Sequence, residues 1–181
     1  MKEGDRYRLW YRGCGSESTW EDQCTAYAES ADGVHWERPT LGIFEFNGNR
    51  ENNIVLQGSE AKALCVFKDG NPQTPDSERY KAIGVGPPID KRATLRGFTS
   101  PDGVRWQTLD QDPILIAPDD PWPMFDSHNV AFWDTLQNQY VAYTRGWIPP
   151  GVRTIRRSVS DDFRHWSDLE FIDLGLSLIH I

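Results

Sequence analysis

The chain has 181 residues, a net charge of −8 from 19 Lys plus Arg against 27 Asp plus Glu, and 38% hydrophobic residues. An acidic chain without a basic run does not grip nucleic acid or anionic lipid by charge, and no apolar run approaches the ~20 residues that span a bilayer. Eight Trp and an aromatic content of 12% exclude a disordered chain, while 15 Gly and 12 Pro point to a turn-rich β protein.

The predicted elements are short strands. In chain order they are YRLWY at 7–11, CTAYAES at 24–30, YKAIGVG at 80–86, TLRGFTS at 94–100, NVAFW at 129–133, YVAYTR at 140–145 and RTIRRSVS at 153–160. Each is rich in β-branched and aromatic residues and bounded by Gly, Pro, Asp or Asn. No stretch of about 10–12 residues carries the 3.6-residue apolar period of a helix.

The strands fall into a repeat. SADGVHW at 30–36, SPDGVRW at 100–106 and SDDFRHW at 160–166 hold Ser, Asp and Trp at the same offsets. Strands opening on Tyr7, Tyr80 and Tyr140 precede them by 23, 20 and 20 residues. Each unit therefore reads strand, turn, strand, loop, strand, S-x-D-G-x-x-W turn, strand. A four-stranded meander repeating in this way is the sequence form of a β-propeller blade. The expected units are residues 1–62, 63–125 and 126–174, with strands of the third near 127–133, 139–145, 152–160 and 166–172. Only six residues precede Tyr7, so the first unit is expected to lack its innermost strand. Propellers close with about four to eight blades. The chain is therefore expected to be about two and a half blades of a longer propeller. Residues 175–181 match no element and are expected to stand outside the native fold.

In the repeated turn the Asp carboxylate can accept hydrogen bonds from turn N–H groups, and Gly supplies a positive φ. Asp32, Asp102 and Asp162 thus read as scaffold rather than catalysts. Trp36, Trp106 and Trp166 are expected to be largely buried in the seams between blades. Phe163 stands where the other copies have Gly33 and Gly103, so the third turn is expected to differ. Cys14, Cys24 and Cys65 have no metal-ligand spacing and are expected to be reduced and buried, a Cys14–Cys24 disulfide being the alternative. No metal or cofactor is expected.

The meander puts the start of each first strand and the loop between strands two and three at one end of the blades, and the S-x-D-G-x-x-W turns at the other. The first end varies in sequence, which suits a ligand face. It gathers Trp20, Glu21 and Asp22 from unit one, Arg92 from unit two, and Trp122, Asp126, His128, Asn129, Trp147 and Arg153 around unit three. Aromatic rings beside carboxylates and Arg suit sugars, which present apolar CH faces and hydroxyl rims. Asp126 stands out because it sits just before an inner strand, where a central channel opens. A carboxylate there can be desolvated and its pKa tuned. His128 shares strand parity with Asp126 and is favoured over Asn129 to point into the channel.

The stretch FDSHNVAFWDTLQNQYVAYTRGW resembles the D-P-x-V-F-x-D…G-x-Y-x-L-x-Y blade of the five-bladed β-propeller glycoside hydrolases, which include the arabinanases, invertases and levansucrases (families 32 and 43 among them). AESADGVHWERPTLGIFEFNGNRENNIV, followed by FDSHNVAFWD and GVRTIRRSVSDDFRHWSD, is similar to uncharacterised bacterial proteins of that superfamily. The resemblance covers residues 5–174 and implies a carbohydrate substrate, no cofactor, and a secreted or periplasmic setting, while oligomeric state stays open. It further implies three channel carboxylates: a base or nucleophile Asp on the first blade, a stabilising Asp on the third, and an acid Glu on the next. Asp126 matches the middle one, with Ser127 in place of the usual Pro. The other two are not assignable in this chain, which implies that the chain alone is an inactive fragment. The unit-two strand ALCVFKD has no Asp at its channel end, as expected of a noncatalytic blade.

Two rivals remain at this stage. A non-catalytic carbohydrate-binding propeller would share the aromatic face. A sialidase-like enzyme is suggested by the likeness of S-x-D-G-x-x-W to the Asp-box S-x-D-x-G-x-T-W, although no Arg triad is recognisable. A WD-repeat scaffold is disfavoured by its ~40–45-residue period.

Overall fold

A computed structural model describes residues 1–14, 23–110, 113–119, 124–125, 128–173 and 175. They form three antiparallel sheets in sequence order. The first contains β1 (Lys2–Glu3), β2 (Arg6–Cys14), β3 (Gln23–Ser30) and β4 (Ile54–Gln57), paired in that order. The second pairs β5 (Cys65–Lys68), β6 (Tyr80–Ile89), β7 (Arg92–Ser100) and β8 (Gln107–Thr108), with β9 (Leu115–Ile116) also on β7. The third pairs β10 (Val130–Asp134), β11 (Gln139–Ile148), β12 (Val152–Ser160) and β13 (Glu170–Phe171). This is the expected all-β architecture of stacked meanders.

Two expectations about strands are corrected. The first unit has an innermost strand: Gly4, at φ 58°, turns the chain so that Lys2 pairs Tyr7 and Glu3 pairs Arg6. The outermost strand of the third unit is shorter than 166–172, because only Phe171 and Glu170 pair, with Arg156 and Arg157. Outer strands are broken elsewhere too. β8 pairs β7 at Phe98 and Thr99, and β9 pairs it at Thr94 and Leu95, as two halves of one interrupted edge.

The three Ser-Asp turns share one hydrogen-bond pattern. Ser30 Oγ accepts from Gly33 N at 2.9 Å, and Asp32 Oδ1 accepts from Val34 N and His35 N at 2.8 Å. Ser100 with Asp102, and Ser160 with Asp162, repeat these bonds. The carboxylates are consumed by their own turns, as the scaffold reading requires. Contrary to expectation, the third turn does not differ. Phe163 adopts φ 66°, close to Gly33 at 78° and Gly103 at 74°. Its ring offsets that unfavourable backbone by burial: it is 0% exposed and lies 5.6 Å from Phe67, 5.3 Å from Tyr140 and 5.7 Å from Trp166.

The largest core cluster lies between the second and third sheets. Phe67, Ile83 and Leu95 meet Phe125, Ala131, Tyr140 and Phe163 there, with Trp166 packed against them. The expected burial of all three repeat tryptophans fails at the first. Trp106 and Trp166 are half-buried, whereas Trp36 is 38% exposed. The reason is positional, since each turn packs on the preceding sheet. Arg8 and Trp10 of β2 donate to the carbonyls of Asp102 and Gly103, and Arg164 bonds Glu78 of the second unit. No described sheet precedes the first.

Candidate functional site

Antiparallel register fixes which ends coincide. Val130 pairs Tyr143 and Trp147 pairs Arg153, so the start of β10, the end of β11 and the start of β12 share one end of the third sheet. Ser160 and its turn lie at the other.

At the first end a cleft of about 330 Å³ opens between the first sheet and the segments that lead into β5 and β10. It is lined by Trp10, Tyr11 and Arg12 of β2, Thr25 of β3, residues 61–64 leading into β5, and His128 just before β10. Several of these groups are fixed in place. The Trp10 indole donates to Gly103 O at 2.7 Å, Tyr11 Oη accepts from Asn53 Nδ2 at 2.8 Å, and Arg12 Nε donates to Gln23 Oε1 at 2.9 Å. Thr25 Oγ1 donates to Ala61 O at 2.9 Å and so ties β3 to the short 3₁₀ turn Ser59–Ala63. That turn seats against β6 at Gly84, where a Cβ would stand 2.7 Å from Glu60 O, so glycine is needed for the approach. The cleft is within the size range of small-ligand sites. It presents two aromatic rings beside Arg12, Lys62 and His128, and no carboxylate among its described lining residues.

Phe125 and Asn129, which flank Asp126 in sequence, are both buried. Phe125 is completely buried with φ 58°, a backbone region costly for a side-chain-bearing residue and therefore enforced by the core around it. Asn129 is 2% exposed and its Nδ2 donates to Phe125 O at 3.3 Å. Asp126 itself lies outside the described residues, as do Trp20, Glu21, Asp22 and Trp122.

The five other candidates are dispersed. His128 is exposed and lines the cleft, while Asn129 is turned to internal hydrogen bonding. Trp147 is half-buried between the guanidinium groups of Arg145 and Arg153, at 5.1 and 5.3 Å from its ring. Arg92 donates to Ala117 O at 2.6 Å and borders a separate cleft with Trp166 and Asp168. Sequence reasoning missed Trp10, Tyr11, Arg12 and Lys62, and also Glu60, which is ion-paired with Arg96 of β7 beside the cleft. A signal was present. Residues 59–64 stand before the inner strand of unit two as 122–129 stand before that of unit three.

Comparison with solved structures decides the fold. The chain superposes on the sucrose-6-phosphate hydrolase of Lactobacillus gasseri with a TM-score of 0.63 at 12% identity, covering 96% of this chain and 33% of that one. With the fructofuranosidase of Schwanniomyces occidentalis, solved with fructosylnystose, the score is 0.62 at 16% identity, covering 93% and 31%. The fold is that of the β-propeller glycoside hydrolases. An N-acetylgalactosamine deacetylase from F. plautii, solved with blood group B trisaccharide, also matches at 0.57 and 11% identity, covering 93% of this chain and 48% of that one. One architecture thus accompanies more than one reaction, and likeness at such identities establishes architecture only. An uncharacterized protein of Mycobacterium tuberculosis is 27% identical over 128 residues, which are 67% of this chain and 36% of that one. No protein-family model matches the sequence. The chain spans about a third of the length of the two hydrolases.

Proposed function

We propose that the chain is the partial propeller of a glycoside hydrolase acting on oligo- or polysaccharides. The observation that supports this most is the cleft carrying His128, two residues after Asp126 and two before the inner strand β10. Trp10 and Tyr11 offer apolar faces to a sugar ring, and Arg12, Lys62 and His128 offer donors to its hydroxyl groups. Asp126, between Phe125 and Asn129 in sequence, is the carboxylate that orients the sugar and stabilises oxocarbenium charge.

Glycoside hydrolysis needs two carboxyl groups across the scissile bond, about 5–5.5 Å apart for retention or 6.5–9.5 Å for inversion. In this reading Asp126 works with partners supplied by blades beyond this chain. Its negative charge keeps a neighbouring acid protonated. Groups that act as a unit lose most of their effect when separated, so the 181-residue chain alone is inactive.

The test is to assay the chain, and the longer protein proposed to contain it, on plant and algal polysaccharides and aryl glycosides. The chain is expected to hydrolyse none. The longer protein is expected to turn over, and Asp126→Asn to lower its kcat by at least ~10²-fold. Turnover by the chain itself, abolished by Asp126→Asn, would refute the need for outside partners. The second reading, a non-catalytic carbohydrate-binding propeller, is favoured by the lack of a carboxylate among the described residues lining the cleft. A longer protein that binds sugars without hydrolysing any would establish it.

A further inference from the structure

Both junctions between sheets are closed by the same three-part clasp. At the first, Glu3 ends β1, Arg8 stands on β2 of the same sheet, and Tyr80 opens β6 of the next. Glu3 Oε2 accepts from Arg8 Nη1 at 3.1 Å and from the Tyr80 hydroxyl at 2.5 Å. At the second, Asp69 follows β5, Lys81 stands on β6, and Tyr140 opens the core of β11. Asp69 Oδ2 accepts from Lys81 Nζ at 2.6 Å and from the Tyr140 hydroxyl at 2.7 Å. The cation also faces the incoming ring in both, Arg8 at 4.8 Å from Tyr80 and Lys81 at 5.7 Å from Tyr140. The rule is an acid at the end of one sheet's inner strand, a cation on its second strand, and the tyrosine that begins the second strand of the following sheet.

Tyr7 is the third tyrosine of this series and has no such acid. Its hydroxyl makes no hydrogen bond to any described residue, and its ring is met by Lys2 at 5.6 Å and by Gly33 of its own turn. The turn above it is uncovered where its counterparts are covered: Gly103 and Phe163 are buried, Gly33 is only partly so, and Trp36 is exposed.

We propose that this face of the first sheet is the docking surface for a further four-stranded blade whose inner strand ends in Asp or Glu and whose second strand carries Arg or Lys. Tyr7 donates to that acid as Tyr80 and Tyr140 do to theirs, because hydrogen bonds to an ionised acceptor shielded from water are the strong ones. The incoming blade covers the turn at Gly33 as Arg8 and Trp10 of the first sheet cover the turn at Gly103. A second copy of this chain does not meet the requirement. On its third sheet Asp134 occupies the acid's place but Val141 occupies the cation's, and Asp134 Oδ1 already accepts from Leu136 N at 2.8 Å. The inference stands on the two observed junctions and is indifferent to which reaction the molecule performs.

The test is to place a copy of residues 63–119, with its own acid and cation, before Met1 through a short Gly/Ser linker. Thermal midpoints are then compared for Tyr7→Phe in the fused and unfused chains. In the fusion Tyr7→Phe is expected to lower the midpoint by about 3 °C or more, the scale set by one hydrogen bond to a charged group in a protein of this size. The shift is expected to vanish when the copied Asp69 is changed to Asn, and to be absent from the unfused chain. Tyr80→Phe, which breaks the observed first junction, serves as the control for folding in both. A fusion in which Tyr80→Phe shifts the midpoint and Tyr7→Phe does not would overturn the proposal. So would an unfused chain that sediments as a dimer and is dissociated by Tyr7→Phe, which would assign the face to a second copy.

Discussion

At the scale of single residues, the repeated turns show how much a local motif can state and where tertiary packing overrules it. Ser, Asp and Trp at fixed offsets announced the turn because its hydrogen bonds run within six residues. The identical form of the third turn was not legible. A Phe at positive φ is unfavourable in isolation, and only the 0% exposure of Phe163 explains it. Phe163→Gly should therefore destabilise the chain by about 3–5 kcal/mol despite relieving the backbone, because it empties a core site. Asp162→Ala should cost about 0.5–1.5 kcal/mol by removing the acceptor of the exposed N–H groups of Arg164 and His165. Urea denaturation of each variant measures both. The acids also set a pH dependence. Hydrogen bonds from Lys68 and Tyr80 outweigh burial and hold Glu3 near pKa 2, against an ordinary value of 4.5. Burial opposes ionisation of Asp162, but the N–H of His165, its imidazole and the N–H of Arg164 outweigh it and hold that carboxyl well below its ordinary range. A depressed folded-state pKa contributes stability above the unfolded value and loses it on acidification. The thermal midpoint should thus fall between pH 4.5 and about 2, and Glu3→Gln should flatten part of that slope.

At the scale of strands and sheets, Tyr7, Tyr80 and Tyr140 were legible as landmarks but not as contacts. Each partner lies on another sheet, 77 residues away for Tyr80 with Glu3 and 71 for Tyr140 with Asp69, so no local window contains the pair. Lys81 and Asp69 form a buried ion pair, with side chains 1% and 0% exposed. Removing one member strands the other charge, so Lys81→Met should cost about 3–5 kcal/mol. Tyr140→Phe should cost about 1.5–3 kcal/mol, and a double-mutant cycle with Asp69→Asn should show coupling of order 1 kcal/mol. Burial, and then the neighbouring Asp69, push the Tyr140 phenol up to about 12 from 10. A raised folded-state pKa contributes stability below the unfolded value, so the second junction should weaken as pH climbs from 10 through 12. Strand positions themselves were legible because alternation and turn residues are local. The innermost piece Lys2–Glu3 was not, since two residues carry no period.

At the scale of the whole molecule, the repeat period pointed to the propeller architecture. The site was less legible. His128, expected from its strand parity with Asp126, lines the cleft, whereas Arg12 and Lys62 border it only through the stacking of separate sheets. The seam tryptophans show the limit of repeat reasoning in the same way. Equal sequence positions give equal environments only when a neighbour exists to supply them, and Trp36 lacks one among the described residues. Open sheet faces carrying Leu9 at 37% exposure and Ile155 at 40% favour association or precipitation. The chain is therefore expected to show concentration-dependent light scattering.

Cys24 and Cys65 offer a clock for this molecule. Cys24 lies on β3 and Cys65 on β5, both buried and neither in a disulfide. Burial also pushes the Cys65 thiol up, which starves a trapping reagent of the thiolate it needs. Alkylation in native buffer, with Cys14→Ser removing the third thiol, would then proceed only as fast as each sheet exposes its interior. Two labelling half-lives read by mass spectrometry would time sheet one and sheet two separately. If the blades open one at a time rather than as a unit, those half-lives would part company.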